Sequence, residues 1–194
     1  MIIGITGGTG CGKTTLLHLI REAGGLILDC DQIYHALLKN DPSLLAAIEE
    51  AFPGTVVGGQ LDRKKLGSLV FSDAEALQTL NRITHGAVKK EVLRRLQAAP
   101  SLVAIDAIGL FEGGLAELCQ VTVAVTAPRD ARIQRLMARD GIEESYAAKR
   151  IDAQHDGDWF REKCGYCLEN DGTEAQFREK SLAFLKQLGI MKEN

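Results

Sequence analysis

No apolar run in these 194 residues approaches the roughly 20 needed to cross a bilayer, and no basic segment precedes the first apolar stretch. Neither a membrane span nor a secretory leader is expected. Positive charge is not in excess either: 23 Lys and Arg stand against 26 Asp and Glu, a net charge of −3. That balance argues against a general affinity for nucleic acid or anionic lipid, so any phosphate must be bound locally. Cysteine is sparse. The five residues Cys11, Cys30, Cys119, Cys164 and Cys167 are odd in number and scattered, as in a protein with reduced thiols in the cytoplasm. Cys164-Gly165-Tyr166-Cys167 has C-x-x-C spacing, but no second pair supplies the other ligands of a zinc site. A redox motif would want a helix from its first cysteine, whereas Tyr166-Cys167-Leu168 reads as a strand. Two packed thiols are expected there. Repeats, low-complexity linkers and a guanine-reading Asn-Lys-x-Asp stretch are also lacking, the last counting against a regulatory GTPase. A single domain of ordinary globular composition, 45% apolar and 25% charged, is expected over 1–194.

What is present is concentrated at the start. Ile2 to Ile5 reads as a short buried strand, and Leu16, Leu17 and Ile20 as the apolar face of a helix. Between them stands Gly7-x-x-x-x-Gly12-Lys13-Thr14, the P-loop pattern in its strand–loop–helix setting. Glycines reach φ > 0 and lack side chains. The backbone of Gly8, Thr9, Gly10, Cys11, Gly12, Lys13, Thr14 and Thr15 can therefore wrap phosphate oxygens at the helix N-terminus. Lys13 is suited to the β- and γ-phosphates of a nucleoside triphosphate, and the Thr14 hydroxyl to the shell of Mg²⁺. A thiol at Cys11, beside a helix N-terminus and a lysine, is expected to be acidic and reactive.

Farther along, Gly24-Gly25 ends the first helix, and Leu26 to Leu28 reads as a second strand. Asp29-Cys30-Asp31 falls at its carboxyl end, where open α/β sheets bind ligands. Position leaves Asp31 open between a catalytic base and the N-cap of a helix over 32–39. Residues 32–99 read as mostly helical. Asp41-Pro42 and Asp62 are start signals, Ser72 to Glu75 has capping-box spacing, and Leu77, Leu80, Ile83, Val88, Val92 and Leu96 form a stripe. His85 lies on that stretch, open between a packing residue and a ligand contact. Leu102 to Ile105 followed by Asp106 is a strand ending in an acid, the Walker B arrangement that orients Mg²⁺ or its waters. Val121 to Val125 is a fourth strand. On a helix over 129–140, Arg129, Arg132, Arg135 and Arg139 fall within an arc of roughly 120°. That arc is either a solvated face or part of a lid over phosphates, with Arg132, Arg135 and Arg139 the candidates and Arg139 foremost. A helix over 143–154 carries Arg150 and is ended by His155-Asp156-Gly157. Tyr166 to Leu168 is a fifth strand, closed by the turn Asn170-Asp171-Gly172, and a last helix stops at Gly189. Five strands alternating with helices imply an α/β fold, a three-layer arrangement with a parallel sheet covered on both faces. Acids, a helical acceptor region and arginines together favour a small-molecule kinase.

The chain resembles the dephospho-coenzyme A kinases along nearly its whole length. The matching stretches are Thr6 to Thr14, Asp29 to Asp31, Ile83 to His85, Asp106 to Glu112, Arg135 to Asp140, Arg150 to Gln154 and Leu168 to Gly172. The resemblance implies transfer of the γ-phosphoryl of ATP to the ribose 3′-hydroxyl of dephospho-coenzyme A, the last step of coenzyme A synthesis. It implies Mg²⁺, a cytoplasmic setting and a monomer that binds neither nucleic acid nor membrane. Carried over by motif, Asp31 is the general base, Lys13 and Arg139 complete the catalytic set, and His85 and Asp106 face the substrate. Thr14 and Asp106 lie at the metal, and Asn170 lies near adenine. The family layout implies a nucleotide core at about 1–31, 100–127 and 158–194, a helical substrate region at about 32–99 and a lid at about 128–157, with sheet order 2-3-1-4-5. The chain departs from the family at Gly86 and Gly109, where prolines are usual, and at Cys11, where serine is common. Two other readings remain: another P-loop kinase, for a nucleoside or sugar-like alcohol, or a nucleotide-binding regulatory module without an acceptor.

Overall fold

A computed structural model describes residues 1–191. In chain order its elements are β1 (Ile2–Thr6), α1 (Lys13–Glu22), β2 (Leu26–Asp29), α2 (Cys30–Asn40), α3 (Pro42–Ala51), β3 (Val56–Val57), β4 (Gln60–Leu61), α4 (Arg63–Val70) and α5 (Ala74–Leu96). There follow β5 (Val103–Asp106), β6 (Val121–Thr126), α6 (Arg129–Asp140), α7 (Glu144–Asp152), α8 (Gly157–Lys163), β7 (Tyr166–Glu169) and α9 (Glu174–Gln187). They divide into two compact units. The first comprises Met1–Leu28, Ala99–Leu110 and the chain from Ala116 onward, and the second Asp29–Ala98 with Phe111–Leu115.

The inner strands β1, β5 and β6 of the first unit are short, apolar and buried, the signature of a parallel sheet under helices. Its order is β2-β5-β1-β6-β7. That is the expected order of the five sheet strands; the labels differ because β3 and β4 form a separate two-stranded hairpin. β1 runs parallel to β5, with Ile5 opposite Asp106, and parallel to β6, with Thr6 opposite Ala124. Ile3, Ile5, Leu16, Leu19, Ile20, Val123, Val125, Phe177, Phe184 and Leu185 make one cluster, packing α1 and α9 on the sheet. Each fully buried aliphatic side chain there contributes about 1.5–3 kcal/mol. Ile133, Leu136, Ala147 and Ile151 join α6 to α7 within the same unit.

The second unit packs α2 to α5 around Leu38, Leu44, Leu45, Ile48, Phe52, Leu66 and Val70. Asp41 and Asp62 cap α3 and α4 as their positions predict, each accepting backbone N–H groups of the first turn. The cap of α5 falls one residue later than predicted. Asp73 accepts from the N–H groups of Glu75 and Ala76, while the Ser72 hydroxyl donates back to the Ser68 carbonyl at 3.3 Å. Ser72 is engaged with the preceding helix, so the stronger acceptor beside it takes the orphan amides. A further helix, α8, follows where only a helix end is expected, because Asp156 accepts from the Trp159 N–H at 2.8 Å and starts a new one. No helix among the described residues is long and apolar enough to cross a membrane.

Candidate active site

The end of β1 is pinned before the glycine loop begins. The buried Thr6 hydroxyl donates to the Ile108 carbonyl at 3.0 Å, tying β1 to the segment after β5. Three successive loop carbonyls are then held from outside. Thr9 O accepts from Arg132 Nε at 2.9 Å, Gly10 O from Arg135 Nη1 at 3.2 Å, and Cys11 O from Asn170 Nδ2 at 2.9 Å. In a trans peptide the following N–H points opposite to the carbonyl, so these bonds turn the Gly10 and Gly12 amides away from the braces, while the Thr9 N–H is held by Gln154 Oε1 and the Cys11 N–H by Gly8 O at 3.3 Å. Gly12 closes the loop at φ +91°, and a Cβ there would stand 2.3 Å from Asn170 Nδ2, so both backbone and space demand glycine. Gly12 is also the N-cap of α1 and brings no side chain to the first amides, which stay available to an anion.

Lys13 Nζ donates to Gly7 O at 2.9 Å and lies 3.9 Å from Asp106 Oδ1. The strand register that sets Asp106 beside Ile5 brings the two motifs together. Thr14 is exposed, and its hydroxyl has no side-chain partner among the described residues. Cys11 differs from expectation. It is 3% exposed, and burial pushes its thiol up more than Arg132, Lys13 and Arg135 pull it down. Desolvation outweighs the helix terminus, and the thiol is not the acidic group expected.

The four arginines of α6 share an arc but have different partners. Arg129 pairs with Asp152 at 2.9 Å. Arg132 is buried against the loop, and Arg135 bridges Gly10 O and Asn170 Oδ1. Arg139 is not brought to the loop. It makes a two-point contact with Asp140 at 2.7 and 3.0 Å, and Asp140 also accepts from Arg150 at 2.7 Å. Bonds from Arg139 and then Arg150 hold the Asp140 carboxyl at about 2. Gln154 is a site residue that no motif spacing in the sequence singles out. It sits two residues past α7, and its Oε1 accepts from Thr9 N–H at 2.8 Å and from Arg132 Nη2 at 3.3 Å. The burial of Arg132 departs from a solvated face, and its signal is the spacing: it precedes the buried Leu136 by four residues and so shares the packed side of α6.

The second unit holds Asp29, Asp31 and His85. Asp29, not Asp31, is the N-cap of α2: it accepts from the Gln32 N–H at 3.0 Å and from Gln32 Nε2 at 2.8 Å. The helix starts at Cys30 because Asp29 ends the strand in an extended conformation with its carboxylate over the first turn. Asp31 lies within that turn, exposed and without a side-chain partner among the described residues. His85 is half-buried on α5, likewise without a polar partner there. Cys164 and Cys167 are free thiols, Cys167 on β7 with its Sγ 3.6 Å from Thr126 Oγ1.

A family model described as Dephospho-CoA kinase matches residues 1–176. The dephospho-CoA kinase of Syntrophotalea carbinolica is 33% identical over 194 residues, covering 97% of this chain and 92% of its own. That of Thermus thermophilus is 37% identical over 191 residues, with the same shares covered. Among solved structures, TT1252 from Thermus thermophilus matches with a TM-score of 0.81 at 36% identity over 97% of both chains.

Proposed function

Because the chain belongs to the dephospho-coenzyme A kinase family, we propose that it transfers the γ-phosphoryl of ATP to the ribose 3′-hydroxyl of dephospho-coenzyme A, the last step of coenzyme A biosynthesis. It is an ATP-dependent kinase. The observation carrying this reading beyond family is the loop itself, its carbonyls tethered outward and Lys13 waiting between Gly7 O and Asp106. With ATP bound, Lys13 exchanges Gly7 O for β- and γ-phosphate oxygens and offsets their charge. Asp31 takes the proton from the 3′-hydroxyl as its oxygen attacks the γ-phosphorus and ADP leaves. Its exposure and lack of a structural bond support that role. Arg139 exchanges Asp140 for the oxygens of the transferring group, and its planar fork suits that task. His85 and Asp106 contribute to substrate contacts, and the Asn170 turn borders adenine. We assign 32–99 to acceptor binding and 128–157 to a lid, in a cytoplasmic monomer that binds neither nucleic acid nor membrane.

The Mg²⁺ of Mg·ATP would be held at the loop. Thr14 and Asp106 offer the hard oxygen donors it prefers. Bound there, it supplies charge neutralisation at the phosphates.

The test is ADP formation with and without dephospho-coenzyme A, with coenzyme A identified by mass. ADP formed equally well with a nucleoside or a sugar alcohol would favour another kinase, and no transfer to any acceptor would favour a regulatory module. Lys13→Ala should fold and lose on the order of 3–4 kcal/mol of transition-state stabilisation. Full activity in that folded variant would overturn the loop assignment.

A further inference from the structure

Arg132 is the only charged side chain among the buried described residues, at 5% exposure. A buried cation normally has an anion beside it. This one does not. Its bonds go to neutral oxygens, Thr9 O at 2.9 Å and Gln154 Oε1 at 3.3 Å, and it makes no ion pair among the described residues. Asp152, the carboxylate on which it acts, is bound to Arg129, and that bond is the chief cause of its lowered acidity range. Thr9 completes a closed ring, since its N–H donates to the same Gln154 Oε1 at 2.8 Å. Contact with the loop is as close as a glycine permits: a Cβ on Gly8 would lie 2.3 Å from Arg132 Nη2 and 3.0 Å from Gln154 Oε1. The charge of Arg132 also acts on the buried Cys11 thiol, opposing the upward push of burial there.

We propose that Arg132 is a fixed counter-charge for the ATP polyphosphate, held behind the phosphate loop by Thr9 and Gln154, and that a neutral Gln154 is what leaves this charge to the nucleotide. The anion missing from the burial site is the one that the loop is built to receive. The inference rests on the loop being the ATP site. It differs from a lid role, because Arg132 acts through the loop from behind and needs no closure to do so.

Gln154→Glu separates bracing from charge. The new carboxylate oxygen still accepts from Thr9 N–H and Arg132, so the ring survives and gains an ion pair, but the counter-charge is cancelled. Melting should occur at or above the wild-type temperature. By calorimetry, Mg·ATP should bind about tenfold more weakly, a single charge acting over a few ångströms in a partly shielded site. ADP should lose less, and adenosine nothing. A folded Gln154→Glu protein that binds Mg·ATP as the wild type does would reduce both residues to structural braces and overturn the proposal. Should that variant fail to fold, Arg132→Gln and Arg132→Lys decide. The lysine keeps the charge and should bind Mg·ATP within about threefold of wild type, while the glutamine loses about tenfold. Equal affinities would overturn it. Wild-type protein that binds no Mg·ATP would instead remove the ATP-site reading itself, a different failure.

Discussion

Asp29 gives one carboxylate oxygen to the backbone N–H of Gln32 and the other to its side chain, so the start of α2 depends on it. Asp31, in the first turn, makes neither bond. Asp29→Ala should therefore lower stability by about 1 kcal/mol, a melting shift of about 2–4 °C for a chain of this length. Asp31→Asn should melt with the wild type and lose about 10²-fold or more in turnover. Thermal melts and ADP release on the two variants test this division, and a wild-type rate in Asp31→Asn removes it as the base. Cys11 gives a second expectation. Its thiol is buried and pushed up, so iodoacetamide should label it in urea but hardly in the native protein, as read by peptide mass. Any inactivation should then proceed equally in Cys11→Ser. At this scale the loop was legible because the P-loop pattern fixes residue type by spacing. The thiol was not, because a sequence shows the charges near a cysteine and not the packing over it. Nor was the cap at Asp29, since either aspartate could serve as one.

Helix α6 was readable to its ends, with Arg129 after Pro128 and Gly141 beyond Asp140, because start signal, apolar spacing and stop agree. Helix α8 was not, because Asp156 belongs both to His155-Asp156-Gly157, which signals the end of one helix, and, with Asp158, to the start of the next. The long α5 contains an oddity. Gly86 lies in its middle, exposed, and a Cβ there would meet nothing within 4 Å. Glycine weakens a helix interior through the freedom it retains when unfolded. Gly86→Ala should raise stability by about 0.5–1 kcal/mol, seen as a higher denaturant midpoint with an unchanged slope. A fall in midpoint would mean that α5 needs a break there, consistent with a family that usually carries proline.

The fold as a whole carries an acid-sensitive carboxylate in each unit. Bonds from Arg94 and Arg95 hold Glu91 at about 2 in the second unit, and those from Arg139 and Arg150 hold Asp140 there in the first. Both lie below their unfolded values near 4. Their contribution is therefore complete above that range and is lost as pH falls toward about 2. Denaturant midpoints should decline over that window, less steeply in Asp140→Asn and, because the partner arginines are exposed, less steeply in high salt. The five strands were legible from apolar runs, but their order came with the family resemblance, since periodicity does not say which strands pair. That Phe111–Leu115 joins the second unit was not legible at all, because contacts such as Gly114 against Lys89 arise only in three dimensions. The crowding at Gly8 has a consequence in evolutionary time. With Arg132 Nη2 only 2.3 Å and Gln154 Oε1 3.0 Å from where a Cβ would stand, a lineage that changes Gly8 must swing the Arg132 head away from its bonds to Thr9 and Gln154. Mutational history at the loop thus couples the two positions, and a library randomised at residues 8 and 132 together should return more non-glycine residues at position 8 than one randomised at residue 8 alone.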